Sequence, residues 1–168
     1  MIAKQIKGSS FYGVLKYMES KIQKGVGEFI YSNMYSSSST SLKNEFELVR
    51  SLRPRVNKAV YHVSLNLSPD ENLTNEQFKD IAERYLEEMG YDQNQYIMYR
   101  HHDQEHPHIH IIANRVKYSG ELVTDSWDYK RSETIIRQIE RDYRLNRVTE
   151  SSKSQRSSLS KGMIENTE

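Results

Sequence analysis

Between His101 and His110 the chain reads H-H-D-Q-E-H-P-H-I-H, which places five of its six histidines within ten residues. Imidazole is a common divalent-metal ligand, so this density points first to a metal centre. His108 and His110 flank Ile109, and strand alternation puts both imidazoles on one face with the isoleucine on the other. Gln95 to His101 reads as the preceding strand, and a turn through Asp103, Glu105 and Pro107 folds the two into an antiparallel hairpin. His101 then sits opposite the pair. Three neutral imidazoles with coordination positions left open suit catalysis better than a closed structural site. The bland alternatives are a non-catalytic metal clasp and plain surface histidines.

The elements that must position this cluster follow from periodicity. Met1 to Ile6 reads as a first strand, and Gly8-Ser9-Ser10 caps a helix from about Phe11 whose stripe is Phe11, Val14, Leu15 and Met18. At about 100° per residue, Tyr12 and Tyr17 fall on opposite flanks of that stripe, outside the core. Gly25 to Thr40, rich in Gly, Ser, Asn and Tyr, reads as a mobile loop. Leu42 to Leu52 reads as a helix stopped by Pro54, and Lys58 to Leu67 as a strand. Thr74 and Gln77 form a capping box for a helix that Gly90 ends, and Glu133 to Tyr143 is a last amphipathic helix. The order describes an α+β domain, a mostly antiparallel sheet with helices packed on one face and the histidines on the other. Residues 1–147 form this domain, and 148–168, Ser-, Lys- and Glu-rich without periodicity, read as a disordered tail or the start of a linker. Truncation after about Leu145 is expected to leave stability nearly unchanged.

Composition narrows the class without naming a task. The 168 residues suit one domain, and no apolar run approaches a membrane span. The lack of cysteine excludes disulfides and thiolate chemistry, and no signal-peptide pattern is present, so a cytoplasmic setting is expected. A net charge of +1 gives no overall sign of nucleic-acid binding, although twelve tyrosines supply rings able to stack on bases.

The motifs H-H-D-Q-E-H-P-H-I-H-I-I-A-N-R and K-G-S-S-F-Y-G-V-L-K-Y resemble the third and first motifs of the relaxase or mobilization nucleases of the HUH endonuclease superfamily, most closely their MOBP class. The resemblance covers roughly Met1 to Leu145. It implies a site- and strand-specific single-stranded DNA transesterase that nicks a transfer origin to mobilize a plasmid or other element. By it, His101, His108 and His110 match the metal ligands, and Tyr17 matches a nucleophile that forms a 5′-phosphotyrosyl intermediate, with Tyr12 as rival. Asp103 and Glu105 lie where they can orient a ligand imidazole or merely shape the turn. His106 is ranked as an outer-sphere or DNA-contacting residue, and His102 as pointing away. The aligned second motif departs from the family, placing Asn66 where a serine is expected and leaving Ser64 or Ser68 to substitute. Asn114, on the strand parity of His108 and His110, is a phosphate contact, a brace or a plain strand-end residue. Arg53, Arg55, Lys58, Lys130, Arg131, Arg137 and Arg141 are generic phosphate-contact candidates.

The resemblance further implies a divalent ion, manganese or magnesium in function, with nickel, cobalt or zinc able to occupy the site. It implies origin DNA, accessory mobilization proteins and a secretion-system coupling protein as partners in a bacterial cytoplasm. Alternatives are a rolling-circle replication initiator or transposase of the same superfamily, a three-histidine oxygenase or hydrolase acting on a small molecule, and a DNA-binding module without catalysis. Motif order, with the tyrosine upstream of the histidines, favours the relaxase.

Overall fold

Ser10 accepts a hydrogen bond from the Gly13 amide and starts helix α1 (Phe11–Gln23), which follows strand β1 (Ile2–Gly8). In the computed structural model, which describes residues 1–148, these lead into β2 (Gly27–Ser32), α2 (Ser39–Arg50), β3 (Val60–Asn66) and α3 (Asn75–Glu88). β4 (Tyr96–His101), β5 (His108–Asn114) and α4 (Asp128–Tyr143) complete the order. Of the tail expected over 148–168, all but Val148 lies outside the described residues. Up to Val148 the chain is tied back: the Val148 amide donates to Glu140 and the Asn146 amide to Glu71.

The five strands form one antiparallel sheet in the order β1-β3-β5-β4-β2. One face carries Val63, Leu65, Met98, Ile109 and Ile111 and packs against Phe78, Ile81, Tyr85, Ile136 and Ile139 of α3 and α4. The other carries Val60, Ile97, Tyr99 and Ile112 and packs against Phe11, Leu15, Met18, Leu42 and Phe46 of α1 and α2. Because alternation puts His101, His108 and His110 in phase with Tyr99 and Ile112, the histidines share the second face. The α+β class and antiparallel sheet are as expected. Placing all helices on the face away from the histidines is corrected to α3 and α4 alone. The apolar stripe of α1 needs a buried sheet face, and β4 and β5 offer one beside the histidines.

The segment expected as a mobile loop over residues 25–40 also differs. It holds β2, which among the described residues is an edge strand paired only with β4 and is bulged between Phe29 and Tyr31, and its serine run supplies Ser38, the capping-box residue of α2. Edge strands bury little, so Gly-Ser-Asn composition hides them. Helix α4 starts at Asp128 rather than near Glu133, because its cap residue, Trp127, is left-handed (φ 57°) and offers no side-chain cap. A sequence search for Ser, Thr, Asp or Asn caps passes over such a start. The Thr74–Gln77 capping box is formed, and Gly90 follows α3 at φ +97°.

Candidate metal centre

The β4–β5 register pairs His101 with His108 and Tyr99 with His110. One ring nitrogen from each of His101, His108 and His110 lies within 4.8 Å of the others. In two of the three rings Nδ1 is already engaged. His108 Nδ1 donates to the His106 carbonyl at 3.1 Å, and His110 Nδ1 is 2.8 Å from His62 Nε2. His101 Nε2 is buried with no hydrogen-bond partner, an orphan atom of the kind a metal ion satisfies. Three imidazole nitrogens converging within this distance fit a divalent ion.

Two of the three rings are held neutral by their surroundings. Burial, followed by the neighbouring His108, pushes the His101 pKa down to about 4. Burial, followed by His101, pushes His110 down to about 2. A neutral imidazole offers its lone pair without first losing a proton. Both values lie below that of an unfolded imidazole, roughly 6.5, so below that pH the unfolded chain binds more protons than the ion-free fold. Stability is therefore full above about pH 6.5 and falls as pH drops toward the folded values, by at most about 1.4 kcal/mol per histidine per pH unit. Chelator-treated protein unfolded in denaturant at pH 7, 6 and 5 should show this slope, reduced in His101→Gln. A flat profile in the parent would contradict it.

Helix α1 runs back along the sheet and brings Tyr17 to the histidines. The Tyr17 ring centre is 6.3 Å from that of His101, and the side chain is about half exposed. Tyr12 is similarly exposed but sits beside Lys16, whose Nζ is 5.7 Å from its ring centre. Lys21, one turn beyond Tyr17, links helix and hairpin: its Nζ is 2.7 Å from Asp103 Oδ2 and 5.3 Å from the Tyr17 ring centre. The hydrogen bond from Lys21 holds the Asp103 carboxyl below its ordinary range. The other oxygen, Asp103 Oδ1, is 3.8 Å from His108 Nε2.

Gly27 lets this corner close. It pairs with His101, and a Cβ there would lie 2.9 Å from Lys21 Cβ and 3.1 Å from its carbonyl carbon. Gly27→Ala must therefore push the last turn of α1 away from β4. With a displacement near 1 Å costing about a hundredfold in positioned chemistry, any reaction that needs Tyr17 held beside His101 should slow by roughly that factor in single-turnover kinetics. Ion affinity should change little, since the ligands stand on β4 and β5.

Other expected residues lie elsewhere. Asn114 is fully buried at the far end of β5, its side chain bonded to Phe46, Gln95 and Val116, so a phosphate contact or a brace on the ligands is corrected to a core role. Ser68 is buried, donates to Glu71 and accepts from Asn146. Arg131 is engaged with the carbonyls of Ser126, Met89 and Thr124, while Lys130 is exposed. Arg53, Arg55 and Lys58 are exposed near the start of β3, where Val60 pairs with Asn114, at the sheet end away from His108. Arg137 bonds Glu140, and Arg141 is exposed on α4. Glu105 is exposed in the hairpin turn. His102 points away, 3.4 Å from Glu28, as alternation requires. His106 meets Asn66 Oδ1 at 3.0 Å, and Asn66 Nδ2 donates to Ile2 and Ser64. That asparagine ties β1, β3 and the hairpin together. Sequence reasoning missed Lys21 and His62. The i,i+4 spacing of Lys21 from Tyr17 was available as a signal, and so was the parity of His62 with Ser64 and Asn66.

Fold and site together define an α+β domain built around a three-histidine centre. A family model described as the MobA/VirD2-like nuclease domain of relaxases matches residues 17–145, and the chain belongs to that family. Two curated relatives, both named group II intron-interrupted relaxase LtrB, come from Lactococcus lactis subsp. cremoris, one of them from strain MG1363. Each is 37% identical over 61 residues, a stretch that spans 36% of this chain and 11% of the relative. Among the described residues, no helix is long and apolar enough to cross a membrane.

Proposed function

We propose that this domain nicks single-stranded origin DNA, site- and strand-specifically, in a bacterial cytoplasm, with Tyr17 as nucleophile, to start the mobilization of a plasmid or related element. The observation that carries the reading is the approach of Tyr17 to His101, at 6.3 Å between ring centres, on the rim of a three-histidine cluster. A divalent ion held by His101, His108 and His110, manganese or magnesium in function, would offset charge developing on the scissile phosphate.

The chain's own residues do the rest. The Tyr17 hydroxyl gives up its proton and its oxygen attacks phosphorus. The bond from phosphorus to the 3′ oxygen breaks, and that oxygen leaves as a protonated 3′-hydroxyl. A 5′-phosphotyrosine remains, and the phosphodiester bond energy it retains makes the cut reversible without a nucleotide cofactor. Lys21 stands over the Tyr17 ring with its charge already balanced by Asp103, which fixes the helix against the hairpin. Exposed cations such as Arg53, Arg55, Lys58 and Lys130 are available for more distant backbone phosphates. Accessory mobilization proteins and a coupling protein complete the proposed setting.

The test is mass spectrometry after reaction with a single-stranded origin oligonucleotide and manganese. The tryptic peptide containing Tyr17 should carry the 5′-phosphorylated DNA fragment. Cleavage without any protein-linked product would instead favour hydrolysis by an activated water.

A further inference from the structure

The hydrogen bond between His62 and His110 has a direction that the proposed metal site fixes. His62 stands on β3, in phase with Ser64 and Asn66, and its half-buried ring faces the histidine cluster. Its Nε2 is 2.8 Å from Nδ1 of His110, with ring centres 5.0 Å apart. A neutral imidazole has one N–H and one lone pair. If His110 turns its Nε2 lone pair to an ion, its proton must sit on Nδ1, where it can only be donated. His62 Nε2 must then accept, which places the His62 proton on its own Nδ1.

His108 reaches the same arrangement by another route. Its Nδ1 donates to a backbone carbonyl, that of His106, 3.1 Å away. A carbonyl cannot be exchanged by mutation and has no second tautomer. His110 lies in the middle of the sheet, where strand pairing with β3 and β4 uses the neighbouring backbone groups, so its acceptor must be a side chain. His62, diagonal to it across the β3–β5 pair, fills that place.

We propose that His62 is a positioning residue for the metal centre: as acceptor from His110 Nδ1–H, it selects the His110 tautomer that leaves Nε2 free for the ion. The inference rests on the three-histidine reading above. Outer partners of this kind hold a ligand ring in orientation and raise its basicity, and losing one typically weakens metal affinity about 10- to 100-fold.

The first measurement is long-range nitrogen–proton NMR of the histidine rings in chelator-treated protein. In the parent, His110 should carry its proton on Nδ1. A proton on Nε2 would overturn the proposal before any variant is made. The second is calorimetric titration with cobalt(II) or manganese(II) of the parent, His62→Phe and His62→Gln, with no DNA present. His62→Phe keeps ring bulk but has no acceptor, and should bind about 10- to 100-fold more weakly, with His110 divided between tautomers. His62→Gln offers an amide oxygen at similar reach and should recover much of the affinity. Parent-like affinity in His62→Phe would refute the assignment. A folded parent that binds no ion would end both this inference and the metal reading. Normal metal binding and tautomer shifts in a protein that never cuts DNA would leave this inference standing and remove only the relaxase mechanism.

Discussion

Tyr17→Phe is expected to fold, bind the ion and bind single-stranded origin DNA, yet form no covalent adduct. The substitution removes one oxygen from a side chain that is half exposed and outside both cores, so packing loses almost nothing. Phosphate contacts and base stacking do not need the phenol, and DNA affinity should stay within a few-fold of the parent. Removing the attacking atom of a covalent catalyst can cost about 10⁶-fold, so the adduct band on a denaturing gel should fall below detection. Tyr12→Phe is the control. Tyr12 lies against Lys16, on the flank of α1 opposite Tyr17, and should retain the adduct. A normal adduct from Tyr17→Phe and none from Tyr12→Phe would put the nucleophile on the wrong flank of α1. Normal cleavage by both would remove the tyrosine mechanism altogether.

Much of this arrangement was legible in the sequence because its signals are periodic and local. The alternation H-I-H fixed which side chains share a sheet face, and the turn residues between His101 and His108 fixed their pairing, so the three ligands could be brought together without a structure. The capping box at Thr74 placed α3 to the residue. What stayed hidden depends on contacts distant in sequence. Strand β2 exists because β4 leaves an edge for it, and nothing in G-E-F-I-Y-S states that an edge is available. Asn114 has the same strand parity as His110, yet four further residues along β5 carry it beneath Phe46 and Gln95, where an amide is consumed by the core. Parity gives a face, but position along the strand decides between site and core. His62 is the converse case: it lies 48 residues before His110 and meets it only through the β3–β5 pairing.

Substitution of the ligands should separate ligand from neighbour among the five clustered histidines. His101→Ala, His108→Ala and His110→Ala each remove one of the three nitrogens that converge within 4.8 Å. Each should weaken ion binding by more than the roughly 10- to 100-fold that follows loss of an outer partner. His102→Ala should have little effect, because that ring points to Glu28 on the edge strand. His106→Ala should fall between, since its backbone carbonyl still receives the His108 Nδ1 proton while the contact of its ring with Asn66 is lost. Calorimetry with cobalt(II) or manganese(II) on each variant distinguishes these grades. For His101 and His110 folding is not expected to confuse the comparison at neutral pH: burial holds both rings neutral, so truncating either removes a desolvated polar group rather than a buried charge. Equal losses at all five positions would mean that the hairpin had been disrupted as a whole. Unchanged affinity in any one of the three would show that its nitrogen, although close, is not a ligand.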